Sequence, residues 1–195
     1  MSETRGLEEA VADLVPRAQR GDTEAFERLL RACRDTIYRW ALVQTADTED
    51  AEDVTQEVLI RLHSSLDRYA GRSRFTTWLY RVTRNEATSL GRRLRSRLRL
   101  ADMVTREAAD ATDTTDPLER IHVAKVAALA HALLARLPRR QREVLHLADI
   151  EGCTAEEISE RLGMSPVTAR VHLLHARRAL RSQLLARLPE LGEEV

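Results

Sequence analysis

Several residue types that can read DNA lie close together in the segment TAEEISERLGMSPVTARVHLLHARRAL, residues 154–180. Arg170 can donate two hydrogen bonds to the edge of a guanine, and the Thr168 hydroxyl suits a phosphate oxygen. His172 and His175 are three residues apart, so a helix would place both on one face. This combination predicts recognition of DNA, and the competing interpretation is an ordinary helical hairpin with a basic, solvated side.

The same segment contains the residues that would hold these side chains in a helix-turn-helix. Thr154, followed three residues later by Glu157, forms a capping box that starts a short helix. Gly163 can end that helix at positive φ, and Ser165 with Pro166 can start the next one. In this motif the second helix crosses the first and its N-terminal half enters a major groove.

The spacing within the second helix predicts which residues face outward. We expect Val167, Val171 and Leu174 to pack against the first helix, with Ala176 as a further candidate. The residues expected on the outer, DNA-facing side and at the helix end are Thr168, Arg170, His172, His175, Arg177 and Arg178.

The composition favours helices and excludes several classes of protein. The 195 residues include only 7 Gly and 5 Pro, and 43% are hydrophobic, so the chain can bury a core but lacks the breakers of turn-rich β folds. Two distant cysteines and no apolar stretch of membrane-span length predict a reduced, cytoplasmic protein without membrane insertion. The six histidines complete no metal set, and no Gly-rich phosphate loop or Ser/His/Asp arrangement stands out. We therefore expect no metal, no cofactor and no enzyme activity.

The net charge is zero, but the charges are unevenly distributed. Residues 91–99 hold five arginines and no acid, whereas residues 102–119 hold six acids and one arginine. Adjacent blocks of this kind can form surfaces of opposite sign. The alternative is that both blocks are simply solvated segments, which would show the same distribution of charge.

Apolar residues recur at helical spacing in two groups along the chain. The first group predicts helices over residues 7–20, 22–45, 48–69 and from 75 into the arginine block, with Thr48 or Asp50 able to cap the third of these. Residues 101–117, rich in Asp, Thr and Ala, lack an apolar stripe, and helical spacing returns from Pro117 to about Leu188. The sequence predicts an all-α protein made of two small helical domains joined by a flexible acidic linker.

The motifs resemble those of one known family. The segment 134–180 (LARLPRRQREVLHLADIEGCTAEEISERLGMSPVTARVHLLHARRAL) resembles region 4 of the extracytoplasmic-function (ECF) sigma factors, compact members of the sigma-70 superfamily of bacterial initiation factors. Three further segments resemble region 2 of the same family, in the same order: LVPRAQRGDTEAFERLL (14–30), DTEDAEDVTQEVLIRLHSSLDRY (47–69) and FTTWLYRVTRN (75–85). The resemblance implies a region 2 helical bundle over 10–97, a linker over 98–117 and a region 4 domain over 118–188.

The resemblance implies a polymerase-docking surface on the helix that contains DAEDVTQEV. Asp53, Gln56 and Glu57 would contact the clamp helices of the β′ subunit, and the region 4 domain would bind the β flap. The spacing of Asp53, Gln56 and Glu57 independently places their side chains on one stripe of the helix, opposite Val54 and Val58. A solvated helix face is the alternative for this helix taken alone.

The resemblance also implies that the N-terminal domain recognises and opens the −10 promoter element. The loop before FTTWLYR and the helix behind it would hold a flipped base, a step that costs a few kcal/mol and needs polar contacts in return. The implied residues are Gly71, Arg72, Ser73, Arg74, Tyr80, Arg81, Arg84, Asn85 and Ser89. Arg92, Arg93, Arg95, Arg97 and Arg99 would follow phosphates. Asp110, Asp113 and Asp116 of the linker would either mimic nucleic acid or remain solvated.

The helix-turn-helix would read the −35 element. The implied residues are Ser165, Pro166, Thr168, Arg170, Val171, His172, His175 and Arg177. The implied protein is an alternative sigma factor, a non-catalytic subunit that directs core RNA polymerase to specific promoters and is held inactive by an anti-sigma factor. The alternative is a conventional helix-turn-helix regulator, which would bind operator DNA without core polymerase, usually as a symmetric dimer.

The two histidines of the recognition helix lead to a prediction about pH. The family frequently has Lys or Arg at the positions of His172 and His175, and neutral histidine brings no charge to a phosphate near pH 7. We expect the core-bound protein to bind −35 duplex DNA more tightly as the pH is lowered toward about 6, as measured by fluorescence anisotropy. Replacing both residues by Gln should abolish this dependence. An affinity that stays constant over the range, with the fold intact, would remove the idea.

Overall fold

The protein is helical throughout the residues that its structure, a computed structural model, describes. These are residues 3–101 and 132–187, with side chains for 4–93 and 132–186. The all-α prediction is confirmed over these ranges. Residues 98–101 of the predicted linker are the end of a helix, so the predicted start of the linker was too early. Residues 102–117, with Asp110, Asp113 and Asp116, lie outside the described residues, as do the side chains of Arg95, Arg97 and Arg99. No helix in the described part is long and apolar enough to cross a membrane.

The described helices form an N-terminal and a C-terminal unit. The N-terminal unit contains α1 (Glu3–Val11), α2 (Leu14–Gln19), α3 (Thr23–Thr45), α4 (Thr48–Ser65), a 3-10 turn (Leu66–Arg68) and α5 (Phe75–Ala101). The C-terminal unit contains α6 (Arg139–Leu145), a π-helical turn (His146–Ile150), α7 (Ala155–Leu162) and α8 (Pro166–Arg187). Residues 132–135 are also helical.

Side-chain caps start the two longest N-terminal helices before α5. Asp22 Oδ1 accepts a hydrogen bond from the Ala25 amide at 3.0 Å and caps α3. The predicted cap of α4 was wrong, because Asp47, and neither Thr48 nor Asp50, accepts the amide of the first turn. The extended backbone of Asp47 aims its side chain at that turn.

Two predicted helices are shorter in the structure. The helix predicted over 7–20 is divided into α1 and α2, because Pro16 has no amide hydrogen and is tolerated only in the first turn of a new helix. The helix predicted to reach Tyr69 ends at Ser65, where the Ser64 and Ser65 hydroxyls donate to the Arg61 carbonyl. These bonds compete with the backbone pattern of a continuing helix.

The core of the N-terminal unit is arranged around α3, which contacts α1, α2, α4 and α5. Leu29, Cys33, Ile37 and Trp40 recur every three or four residues along α3 and are at most 1% exposed. Burial raises the pKa of the Cys33 thiol to about 12, so this cysteine is an inert core residue.

The two units pack against each other, an arrangement that the sequence did not predict. Val144, Leu147 and Ile158 of the C-terminal unit belong to the same buried cluster as the α3 core. Helix α6 contacts α3, and α7 contacts α5. The larger apolar cluster therefore continues across both units, and a smaller one of Leu137, Leu145 and Ala176 lies within the C-terminal unit.

The helix-turn-helix forms at the predicted residues. Thr154 and Glu157 make both hydrogen bonds of a capping box, and Gly163 ends α7 with φ +66°. The Ser165 hydroxyl accepts from the Thr168 amide at 3.0 Å, and α8 begins at Pro166. The positive φ at Gly163 is the one backbone feature of this turn that requires glycine.

Gly163 provides a test of how much this turn contributes to stability. Gly163→Ala should lower the free energy of unfolding by about 1–2 kcal/mol, because a Cβ is strained in the left-handed region. No atom lies within 4 Å of the added Cβ, so crowding adds nothing. Urea denaturation followed by circular dichroism measures the change.

The matched control is Gly6→Ala in α1, where the space is equally open. Its φ is not positive, so alanine should stabilise the helix by about 0.5–1 kcal/mol. Equal effects of the two substitutions would contradict the assignment of strain to Gly163.

Candidate polymerase and nucleic-acid interfaces

The predicted docking stripe lies on the solvent side of α4. Asp53, Gln56 and Glu57 are exposed, while Val54 and Val58 are at most 1% exposed. Sequence reasoning missed Ile60, which is 68% exposed beside the stripe and lines the same groove between α4 and α5. Ile60 follows Gln56 by four residues, so helical spacing places it beside the stripe, and this spacing could have identified it from the sequence. The surface combines two acids, an amide and one large apolar side chain.

Most of the predicted −10 residues lie along one rim of the N-terminal unit, formed by the loop 70–74 and the outer side of α5. Gly71 adopts φ +68°, and the Ser73 carbonyl accepts from the Tyr69 hydroxyl at 2.7 Å, which holds the loop. The exposed members are Gly71, Arg72, Arg74, Arg81 and Asn85, and the half-buried members are Ser73, Arg84 and Ser89. The structure therefore brings eight of the nine residues to this rim.

The exception is Tyr80, which belongs to the core. Its side chain is 1% exposed and packs edge-on against Trp40, with ring centroids 5.2 Å apart. Gln44 Nε2 donates to the Tyr80 hydroxyl at 2.9 Å, and burial raises the pKa of the phenol. The predicted placement of Tyr80 on the DNA surface was wrong, because Tyr80 lies on the side of α5 that packs against α3, whereas the next residue, Arg81, is exposed. Phe75 is buried and Trp78 half-buried, as expected for core residues.

Arginines of the rim bind the C-terminal unit. Arg74 Nη1 lies 3.1 Å from Glu157 Oε1, and Arg81 Nη2 donates to the Glu160 carbonyl at 2.6 Å. These partners are 83 and 79 residues apart in sequence, so no local pattern indicates them.

A second group of polar contacts joins α6 to the N-terminal unit. Glu143 is fully buried and accepts from Arg84 Nε at 3.4 Å and Arg139 Nε at 2.9 Å. Arg142 is 7% exposed and donates to the Val43 carbonyl at 2.5 Å. Glu143 and Arg142 therefore both have hydrogen-bond partners, as the low polarity of the interior requires of a buried charge.

Glu151 is the centre of the interface between the two units. Oε1 accepts from Trp40 Nε1 and lies 3.2 Å from His146 Nε2, and Oε2 accepts from the Thr4 hydroxyl and from Arg161 Nη1. Thr4 and Trp40 come from the N-terminal unit, and the other two donors from the C-terminal unit. Burial by itself raises the pKa of this carboxyl, but the hydrogen bonds and the Arg161 charge outweigh burial and lower the pKa to about 2.

The α8 surface presents most of the predicted −35 set to solvent. Ser165, Thr168, Arg170, Val171, His175 and Arg177 are exposed, and Pro166 and His172 are half-buried. Arg170 pairs with Glu156 at 2.9 Å and Arg177 with Asp149 at 2.5 Å. Exposed pairs of this kind are worth at most about 1 kcal/mol, so a phosphate can replace either acid.

The predicted inner face of α8 was wrong for three of its four residues, and Ala176 is the one that is buried as expected. Val167, Val171 and Leu174 are 65%, 45% and 46% exposed, whereas Ala169 and Ala176 are buried. The valine and leucine residues and the alanine residues each recur at helical spacing. The small alanines are the ones that face inward, because they allow α8 to lie close to its neighbours. The exposed side of α8, with Thr168, Arg170, His175 and Arg177, is called the reading face below. It also carries an apolar stripe of Val167, Val171 and Leu174.

Two family models match this chain. The Sigma-70 region 2 model matches residues 29–98, and the Sigma-70 region 4 model matches residues 127–180. The RNA polymerase sigma-H factor of Pseudomonas aeruginosa is 31% identical over 91% of this chain and 95% of its own length. The chain belongs to the sigma-70 family. The ECF RNA polymerase sigma factor SigE of Mycolicibacterium smegmatis is 32% identical over 82% of this sigma factor, which confirms the resemblance to the ECF branch.

The coverage of the relatives varies. This sigma factor spans 62% of the length of SigE and 44% of a probable RNA polymerase sigma factor, RfaY, of Xanthomonas campestris that is 31% identical. It therefore spans less than two thirds of these two relatives.

Solved structures share the fold. CnrH, in complex with the cytosolic domain of CnrY, has a TM-score of 0.64 and 25% identity over 91% of this sigma factor and 98% of that chain. The sigma factor RpoE, in complex with the anti-sigma factor NepR from Bartonella quintana, also has a TM-score of 0.64, at 22% identity over 83% of this sigma factor and 98% of that chain. The second match supports the fold alone.

The lowered pKa of Glu151 predicts how stability depends on pH. A carboxyl whose pKa falls from 4.5 to about 2 on folding stabilises the protein by about 3 kcal/mol above pH 4.5. This contribution is lost as the pH falls through about 2, where both states bind the proton. Glu151→Gln removes it, so its deficit in the free energy of unfolding should be largest at pH 7 and roughly halved at about pH 3.

Urea denaturation at several pH values measures this deficit. Glu156→Gln on the exposed side of α7 is the control, since its loss should change stability by at most about 0.5 kcal/mol. A deficit of Glu151→Gln that does not vary with pH would contradict the predicted linkage.

Proposed function

We propose that this sigma factor binds core RNA polymerase and directs it to specific promoters in the cytoplasm, with no catalytic chemistry of its own. One observation carries the proposal: a single chain exposes the α4 stripe within its region 2 match and the α8 reading face within its region 4 match. A subunit that must hold both a polymerase and two promoter elements needs these surfaces together.

The α4 stripe is the proposed docking surface for the clamp helices of β′. Asp53 and Glu57 offer exposed negative charge, Gln56 adds a donor and acceptor, and Ile60 supplies apolar area. Complementary charge speeds encounter and fixes register, while a large apolar side chain at the centre contributes to affinity. We propose the β flap as the partner of the region 4 domain.

The rim around the loop 70–74 is the proposed −10 surface. Asn85 and Ser89 can contact base edges, and Arg72, Arg74 and Arg81 can bind phosphates. Tyr80 has no part in it, because its ring is enclosed by Trp40 and Gln44. The domain limits proposed are 10–101 for this half, 102–117 for the linker and 118–188 for the region 4 half.

The outer side of α8 is the proposed −35 reader. Arg170 and Arg177 can donate to bases or phosphates once they leave Glu156 and Asp149. Val171 is exposed between them, and an apolar side chain in the major groove can contact a thymine methyl group. His172 and His175 flank this contact, and Ser165 with Pro166 places the helix N-terminus near the backbone.

We also propose an anti-sigma partner, because the resemblance to the ECF sigma factors implies one. A conventional operator-binding regulator is the competing function. It would need to bind duplex DNA without polymerase, whereas the named relatives are RNA polymerase sigma factors.

Abortive transcription with purified core polymerase on a promoter library tests the proposal. We expect core-dependent initiation at a subset of promoters, which also yields the consensus. Absence of core-dependent products on every promoter would overturn the proposal.

A charge reversal on the docking stripe tests the polymerase contact directly. Glu57→Lys should weaken binding to core polymerase at least tenfold, because a like charge at an interface is strongly unfavourable. Glu27→Lys on α3 is the matched control, since Glu27 is exposed and pairs only with Arg31 among the contacts of the described residues. Equal loss in both variants, measured by fluorescence-detected binding to core, would indicate a general charge effect and contradict the assignment.

A further inference from the structure

The first amides of α5 are capped by a residue of a distant helix. Glu8 of α1 accepts a hydrogen bond from the Phe75 amide at Oε1, at 3.0 Å, and a second from the Thr76 amide at Oε2, at 2.9 Å. Amides in the first turn of a helix have no acceptor within the helix itself. One carboxylate therefore takes the place of a neighbouring capping residue, and its negative charge suits the positive end of the α5 dipole.

Packing fixes the helix that carries this carboxylate. Leu7 and Val11 of α1 are buried in the cluster that contains the α3 core, and α1 contacts both α3 and α5. Glu8 follows Leu7 directly and is half-buried. The cap is therefore part of a packed element, so its position relative to α5 is set by the core.

Helix α2 holds the chain where it enters the loop 70–74. Gln19 Nε2 donates to the Leu66 carbonyl at 2.9 Å and to the Tyr69 carbonyl at 2.8 Å. Glu8 holds the chain where it leaves the same loop, at the first turn of α5. The backbone is thus fixed on both sides of the loop by side chains of α1 and α2.

Both of these side chains lie outside the family match. The Sigma-70 region 2 model matches residues 29–98, which include the loop and α5 but neither Glu8 nor Gln19. Their hydrogen-bond partners are between 47 and 68 residues away in sequence. The matched part of the chain therefore depends on the unmatched N-terminal helices for the geometry of its loop.

We propose that Glu8 and Gln19 are positioning residues for opening of the −10 element, and that α1 and α2 set the shape of the loop that receives the flipped base. The inference rests on the proposed function, because it takes the loop 70–74 as part of the −10 surface. Contacts that compensate for unstacking a base act only at short range. A loop already held in one shape loses less conformational freedom when it makes them.

Amide hydrogen exchange in the full chain tests the cap without polymerase. Glu8→Ala should speed exchange of the Phe75 and Thr76 amides at least tenfold, because both lose their acceptor. Glu8→Gln keeps one carbonyl oxygen and should give an intermediate rate. Glu9→Ala removes the same charge from an exposed neighbour on α1 and should leave both amides unchanged. An equal increase throughout α3 would show general destabilisation and overturn the positioning role.

The second measurement separates polymerase binding from promoter opening. The lag before steady abortive synthesis, on a promoter obtained from the library, is measured at several concentrations of core polymerase saturated with this sigma factor. It gives the opening rate and, separately, the affinity of the closed complex. Glu8→Ala and Gln19→Leu should each lower the opening rate at least fivefold. The affinities for core polymerase and for the closed promoter should change by less than twofold.

Two controls separate positioning from charge and from stability. Glu9→Ala reproduces the loss of a negative charge, which can by itself alter binding to DNA. Asp22→Ala removes the cap of α3, a bond of the same kind in the same unit. Both variants should open the promoter within twofold of the unsubstituted protein.

The outcomes separate this inference from the proposed function. Equal opening rates in Glu8→Ala and Glu9→Ala overturn the inference, and so does a loss in Asp22→Ala as large as that in Glu8→Ala. A fall in core affinity as large as the fall in opening rate also overturns it, because the role would then be general stability. Absence of product from the unsubstituted protein overturns the proposed function and the inference together, whereas normal opening by both loop variants overturns the inference alone.

Discussion

A single carboxylate enclosed by four donors determines how this protein is assembled. A charge moved from water into a protein interior is stable only if its hydrogen-bonding capacity is met. Glu151 satisfies this condition by drawing on two helices of each unit or their flanking turns. Its two oxygens join α1, Trp40 of α3, the π-helical turn and α7 at one point. The same interface buries Leu147 and Ile158 in the cluster that contains the α3 core.

The local structure could be read from the sequence because its causes are local. The capping box at Thr154, the positive φ at Gly163 and the exposed stripe on α4 each depend on residues within about one turn of each other. The choice between two apolar stripes on α8 was misjudged, because alanine ranks low in hydrophobicity but permits the closest helix approach. Tyr80 was misplaced for a related reason, since a ring with a hydroxyl suits both a core and a surface. Glu151 itself gave no sign of its role, because Trp40 and Thr4 are 111 and 147 residues away.

The three proposed binding surfaces of this sigma factor differ in how strongly their side chains are held by contacts within the protein. The α4 stripe and the α8 reading face already point to solvent, and the ion pairs on α8 are exposed and weak. The rim of α5 is tied to buried groups such as Glu143, which has no exposed surface. Use of Arg84 therefore requires its contact with Glu143 to break, whereas the α4 stripe and the outer side of α8 are already accessible.

The contact between the two units is made within one chain, and this has a consequence for competition. Residues 102–131 connect the described parts, so Ala101 and Ala132 can never be more than about 100 Å apart, given roughly 3.3 Å for each residue. An intramolecular contact of this kind responds to an effective concentration that is on the order of millimolar for short linkers, whatever the amount of protein in the cell. Diluting the protein does not open it. A partner that separates the units must therefore bind the released faces tightly enough to outcompete a neighbour that cannot diffuse away.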